Sequence, residues 1–105
     1  MIDPYADERR TLVEAVTKGA GHLSTEVRKA IVDRARGQEA AVPDALVGFV
    51  DRVAKNASEI ADADVDAVKA AGFDEEAVFE AIVAAALGAS LARLEAVDAL
   101  LKRRG

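Results

Sequence analysis

The chain has 105 residues, a hydrophobic fraction of 51%, no cysteine and a net charge of −5. A chain of this length predicts a single domain spanning 1–105. The absence of cysteine excludes disulfides, thiolate metal ligands and every thiol-based reaction. Residues 44–80 carry ten acids and three bases. This acidic section repels phosphate backbones, so we expect no nucleic-acid partner.

The sequence gives no sign of export or membrane insertion. Its first ten residues, MIDPYADERR, contain no apolar stretch, so we predict no signal peptide. The longest uncharged run, 81–92, has twelve residues, whereas a bilayer span needs roughly 20. We therefore expect no membrane partner and a cytoplasmic location.

Apolar residues recur at helical spacing along the whole chain, and no stretch alternates as a strand does. The sequence predicts an all-α fold of about five helices. The first helix is predicted for residues 6–18, ending at Gly19 and Gly21. Its inner stripe consists of Leu12, Val13 and Val16.

Capping residues predict the limits of the second and third helices. Ser24 is suited to cap the second helix, and Gly37 to stop it. Pro43 is placed in the first turn of the third helix, where proline is tolerated. The inner stripe of the third helix is predicted to be Leu46, Val50, Val53 and Ala57.

The fourth and last helices show similar signals. Asp62 is predicted to cap the fourth helix, with Val65 and Val68 inside and Gly72 as its stop. Asp74 is predicted to cap the last helix, and Phe73 with Val78 forms a candidate hydrophobic staple across this cap.

The last helix is unusually long and apolar. A helix over residues 75–103 is about 43 Å long, whereas a domain of this size is roughly 34 Å across. The helix is therefore expected either to kink near Gly88 or to project beyond its domain. It carries a fourth-residue repeat of small side chains and a separate stripe of Leu87, Leu91, Leu94, Val97 and Leu101.

Apolar residues on three sides of one helix indicate burial nearly all round. Either the rest of the chain wraps the helix completely, or one face meets another subunit. We favour a homo-oligomer; the alternative is an unidentified protein partner or a small-molecule ligand. The predicted interface consists of Ala84, Ala85, Gly88, Ala89, Ala92 and Ala96.

Residues 43–96 resemble the alkylhydroperoxidase D-like, or carboxymuconolactone decarboxylase-like, superfamily. The resemblance rests on an alanine-rich helix, then "AAGF", the acidic helix start "DEEAVFE", and a small-residue helix ending in "ARL". The segment "GAGHLSTEVRKAI" fits the helical lead-in of such proteins, so the similarity extends over about residues 10–100. It implies an alkylhydroperoxidase D-like helical bundle.

The redox branch of that family has a C-x-x-C pair and a histidine four residues after it. Counting back from Gly72 places these positions at Ala57, Ile60 and Asp64. Because the chain has no cysteine, it is not a thiol peroxidase. Other members of the family lack the cysteine pair, and the lactone decarboxylases among them act without a metal or organic cofactor.

Three side chains are candidates for chemistry. His22 is the only histidine, and histidine is the residue type suited to acid–base chemistry near neutral pH. Glu80 immediately precedes the uncharged run, and Arg93 is the first charge after it. For each of the three, a structural or surface role competes with a catalytic one.

No cofactor or metal site is predicted. The chain lacks the H-x-x-x-H and E-x-x-H ligand spacings, and no glycine-rich phosphate loop occurs. The acids in 62–66 resemble the start of a calcium loop. However, Ala67 and Phe73 occupy the positions where that loop needs glycine and glutamate.

The first of three functional hypotheses is an oligomeric, non-redox binding or structural component. The second is a cofactor-free decarboxylase or isomerase with a site between helices or subunits. This enzyme would use His22, Glu80 or Arg93, and it requires at least two of them to converge at a concave pocket. The third is an acidic module that binds a basic partner through residues 44–80.

Overall fold

The computed structural model describes residues 6–11 and 22–104, and this part of the chain contains helices and no strand. Residues 6–11 are helical and form α1. The remaining elements are α2 (Thr25–Ala35), α3 (Asp44–Asn56), a 3₁₀ turn (Ala57–Glu59), α4 (Asp62–Ala70) and α5 (Glu75–Arg104). The prediction of an all-α fold with a long C-terminal helix is confirmed. Leu12, Val13, Val16, Gly19 and Gly21 lie outside the described residues.

Most helix ends are where the capping residues predict them. The Ser24 hydroxyl accepts a hydrogen bond from the Val27 N–H at 3.1 Å, which caps α2. Gly37 and Gly72 follow α2 and α4 with φ of +100° and +109°, a conformation that favours glycine. The local sequence therefore fixes where these helices begin and end.

Three details of the predicted helix ends are wrong. Pro43 is the N-cap of α3, outside its first turn. Asp62 is the first residue of α4, whose N-cap is Ala61. The Ala61 N–H donates to the Asp64 carboxylate at 2.9 Å, so an acid inside the helix supplies this cap. Ala57 is exposed because α3 ends at Asn56 and the chain turns away from the core.

The core lies between α5 and the two helices α2 and α3. Its fully buried large side chains come from α2 and α3, namely Ile31, Val32, Leu46 and Val50. The facing residues of α5 are small, and Ala81, Ala84 and Ala85 are completely buried. These small residues let α2 approach α5 closely. The core is therefore densely packed although α5 contributes few large side chains to it.

The closest approach is at Gly88. A Cβ atom built on Gly88 would lie 2.3 Å from the Val32 carbonyl oxygen and 2.7 Å from the Ala35 Cβ. The C-terminal turn of α2 therefore rests directly on the backbone of α5, and only glycine fits there.

α5 runs without interruption through Gly88, so the helix projects beyond the domain instead of ending at a kink. Its 30 residues make it about 45 Å long. The molecule measures 50 × 27 × 22 Å, so the helix sets the longest dimension. After Leu91, most of its residues are exposed.

The predicted oligomer interface needs correction at four of its six positions. Ala84, Ala85, Gly88 and Ala89 are buried within the same chain, because α2 packs on this face. The small-residue repeat does provide a close helix contact, but an intramolecular one. Of the other two residues, Ala92 is half-buried and Ala96 is exposed.

Among the described helices, α5 is long and apolar enough, by length and composition, to cross a membrane. Its most apolar 18-residue window has a mean hydropathy of 1.7, and 44% of that window is buried inside the fold. The packing of α2 and α3 against α5 accounts for the apolar character of the buried side.

Candidate functional site

The sequence candidates His22 and Glu80 meet where the segment before α2 crosses the start of α5. One carboxylate oxygen of Glu80 accepts the His22 N–H at 2.9 Å, and the other accepts the Leu23 N–H at 2.8 Å. Glu80 can reach both because it lies in the second turn of α5, beside the chain entering α2. Its two oxygens therefore hold two consecutive backbone donors.

Asp74 completes the cluster from the N-cap of α5. Its Oδ1 accepts the Ala77 N–H at 2.8 Å, and its Oδ2 lies 2.9 Å from His22 Nδ1. The hydrogen bond from the Ala77 backbone lowers the pKa of Asp74, and the hydrogen bond to the His22 side chain lowers it further. We call Asp74, Glu80 and His22 the clasp, because together they tie the entry to α2 to the start of α5.

A shallow concavity of about 380 Å³ lies beside the clasp. Its lining combines His22, Ser24 and Asp74 with apolar side chains that include Val27 and Phe73. The His22 and Asp74 side chains are 52% and 59% exposed, so their contact faces water. An imidazole oriented by a carboxylate has the geometry of a general base.

The rest of the clasp favours a structural role. Both Glu80 oxygens are engaged by backbone N–H groups. Arg93 is exposed and lies 13 residues beyond Glu80 on α5, about 20 Å along the helix. The fold therefore brings two of the three candidate residues together and leaves the third apart.

From the sequence, Asp74 is predicted only as a helix cap, and its contact with His22 is not predicted. The two residues are separated by 52 positions, and no local pattern links them. The available signal was the position of Asp74, six residues before Glu80 at the start of the same helix.

A second candidate site is an apolar surface on α5. Five large apolar side chains of this helix are 47–62% exposed: Phe79, Leu94, Val97, Leu100 and Leu101. Four of them share one face with Val83, Leu87 and Ser90, at spacings of three or four residues. We call Phe79, Val83, Leu87, Ser90, Leu94, Val97 and Leu101 the α5 stripe. It lies opposite the alanine face that packs on α2.

The α5 stripe was partly predicted. Leu87, Leu94, Val97 and Leu101 belong to the leucine-rich stripe found in the sequence. Leu91 was also in the leucine-rich stripe found in the sequence, but the structure buries it, so it is not part of the α5 stripe. Phe79 is exposed and belongs to the α5 stripe, although the sequence did not predict it. At 100° per residue Phe79 and Leu101 share a face, so the stripe extends over 23 residues, with about 33 Å between its first and last Cα atoms along the axis.

The described residues contain no group of three or more His, Asp and Glu side chains that could hold a metal ion. Another concavity of about 350 Å³ is lined by Arg52, Lys55 and Asn56. Its Arg52 already pairs with Asp64.

Comparison with known proteins found no matching family model, no matching curated protein and no matching solved structure.

Proposed function

We propose that this protein is a non-redox helical component that works by self-association, with the α5 stripe as its interface. The observation that supports this is a set of four large apolar side chains on one face of α5 that are 48–62% exposed to water: Phe79, Leu94, Val97 and Leu101. Exposed large apolar side chains that share one helix face are typical of a surface that meets another protein.

The energetics are consistent with a reversible dimer. Full burial of a large apolar side chain contributes about 1.5–3 kcal/mol, so burying the exposed half contributes about 1 kcal/mol. Four exposed stripe side chains per copy then give about 8 kcal/mol per dimer, before any gain from Val83 and Leu87. Association costs about 4–15 kcal/mol. Because these terms are comparable, we expect the dimer to dissociate on dilution.

The clasp supports a structural role over a catalytic one. Glu80 is committed to backbone hydrogen bonds, and Arg93 lies far along α5 from His22. We accordingly place the function in association and not in the decarboxylase or isomerase chemistry that the sequence left open. The alkylhydroperoxidase D-like relationship and a cytoplasmic location stay proposals, which rest on the residue patterns described above.

The test is the solution mass by light scattering over a wide concentration range. For the wild type we expect a discrete multiple of 11.0 kDa at high concentration, which falls towards 11.0 kDa on dilution. The variant Leu94→Glu/Val97→Glu, with two charges on the stripe, should be monomeric under the same conditions. The matched control is Ala96→Glu/Ala99→Glu, because both alanines are exposed on the opposite side of the same helical turns. It adds the same charge and should keep the wild-type mass.

Several results would overturn the proposal. One is a wild type that stays monomeric at every concentration. Another is a control variant that dissociates as fully as the stripe variant, which would place the interface on the alanine side. A third is a monomer that floats with phosphatidylcholine vesicles, because the exposed apolar residues of α5 would then serve a lipid surface.

A further inference from the structure

We infer that the second copy binds the α5 stripe in the antiparallel orientation, with the acidic start of one α5 beside the basic end of the other. This inference rests on the self-association proposed above and adds the orientation of the partner. It follows from how apolar and charged residues are ordered along the stripe.

Five positions on the stripe face are spaced by seven residues. They are Glu76, Val83, Ser90, Val97 and Arg104. A seven-residue repeat returns to nearly the same side of an α-helix, so these residues form one line along α5. The line is symmetric about Ser90, with valine on either side and opposite charges at its ends.

The two ends of α5 carry opposite charge. The first turn contains Glu75 and Glu76, and the last turn contains Lys102, Arg103 and Arg104. Lys102 pairs with Asp98 in the same helix at 3.0 Å. Glu76 and Arg104 form no ion pair with any described residue, so their charges are available to a partner.

Full overlap of two stripes buries the same side chains in either orientation, so charge decides between them. In the antiparallel pair, Glu76 of one copy faces Arg104 of the other, at both ends. In the parallel pair, Glu76 faces a second Glu76 and Arg104 a second Arg104. Opposed helix dipoles also favour the antiparallel pair.

Spin labels can measure the orientation directly. Because the chain has no cysteine, Ala99→Cys provides one labelling site. Ala99 is exposed, uncharged and off the stripe. In the antiparallel dimer the two 99 positions are about 27 Å apart along the axis, and in the parallel dimer they are level. Pulsed dipolar spectroscopy should give a label separation of more than about 27 Å.

Charge exchange gives a second readout. In the antiparallel dimer, Glu76→Lys and Arg104→Glu should each weaken association by about two- to tenfold at low salt, because like charges then meet at both ends. The double variant Glu76→Lys/Arg104→Glu should restore the wild-type association constant. In a parallel dimer each exchange replaces one like-charge pair with another, so all three variants should associate equally.

The outcomes separate the two proposals. A labelled protein that is monomeric by light scattering would overturn self-association itself and this inference with it. Two results would overturn only the antiparallel orientation. One is a dimer whose labels are close together. The other is a dimer whose association constant is the same in the wild type, Glu76→Lys and Arg104→Glu.

Discussion

Replacing Gly88 with alanine should destabilise the protein, although alanine is the better helix former. The new Cβ would lie 2.3 Å from the Val32 carbonyl oxygen, 2.7 Å from the Ala35 Cβ and 3.1 Å from the Arg36 N. Two of these atoms belong to the backbone and the third is fixed to it. No side-chain rotation can relieve the clash, so α2 must move away from α5.

The expected magnitude follows from two opposing terms. Ordinary contact begins near 3.4 Å, so α2 must move by about 1 Å, which loosens the packing of Ile31 and Val32. Overpacking of this kind costs about 1–3 kcal/mol, and occasionally more when backbone must shift. The helix-propensity gain of alanine over glycine offsets about 1 kcal/mol. Because the contacts are to the backbone or to an atom fixed to it, we expect a cost at the upper end of that range, about 3 kcal/mol. The net loss in the free energy of unfolding is then about 2 kcal/mol.

Gly48 in α3 is the matched control. A Cβ on Gly48 would meet nothing within 4 Å, and the residue is exposed in mid-helix. Gly48→Ala should therefore keep the propensity gain of about 1 kcal/mol and raise the midpoint of thermal unfolding by about 4–8 °C. Gly88→Ala should lower it by about 8–16 °C.

The assays are urea unfolding, for the free energy, and thermal unfolding, for the midpoint, both followed by far-UV circular dichroism. All variants are compared at one protein concentration, because association stabilises the folded state. An equal gain in the free energy of unfolding for Gly48→Ala and Gly88→Ala would contradict the prediction, because helix propensity would then outweigh the clash between α2 and α5.

Two further predictions concern the clasp. Glu80→Ala leaves the His22 and Leu23 N–H groups without their acceptors and should cost about 1–2 kcal/mol of stability, measured by the same unfolding assay. Glu80→Gln keeps one side-chain oxygen acceptor and should lose less; a Glu80→Ala variant as stable as the wild type would show that the carboxylate hydrogen bonds contribute little. The lowered pKa of Asp74 predicts that its ionised carboxylate stabilises the folded state. The folded state favours the ionised carboxylate, so this stability is present above the unfolded pKa of about 3.9 and is lost as the pH falls through the lower folded value. Asp74→Asn should therefore flatten the fall in stability between about pH 5 and pH 2, and an unchanged slope would count against the clasp.

Helix ends could largely be predicted from the sequence because local chemistry determines them. Ser24 and Asp74 cap their helices through their own side chains, and Gly37 and Gly72 adopt the positive φ that a helix stop requires. The predicted inner stripe of α3 ran one residue too far, to Ala57, because it followed the apolar spacing alone. The Asn56 side chain accepts the Ser58 N–H and caps the 3₁₀ turn that begins at Ala57.

Which face of α5 the chain covers could not be predicted, because this depends on tertiary packing. The sequence shows apolar residues on three sides of the helix, and several arrangements of α2 and α3 would bury two of them. In the structure α2 settles on Gly88, the position that allows the closest backbone approach. The small residues therefore became the core, and the larger Leu94, Val97 and Leu101 were left exposed.

The candidate site shows the same limit. His22 and Glu80 were identified singly as chemically distinctive residues, but they lie 58 positions apart and meet only through the fold. Their contact favours a structural role, since the Glu80 carboxylate accepts hydrogen bonds from the backbone of the segment before α2. A sequence pattern cannot separate that role from a catalytic one.

The most direct test of self-association through the α5 stripe is light scattering on a dilution series of the wild type and Leu94→Glu/Val97→Glu. We predict a wild-type mass of twice the chain mass of 11.0 kDa at the concentrated end of the series, and a stripe variant at 11.0 kDa throughout. A wild type at 11.0 kDa at every concentration would contradict the account, as would a stripe variant that keeps the wild-type mass.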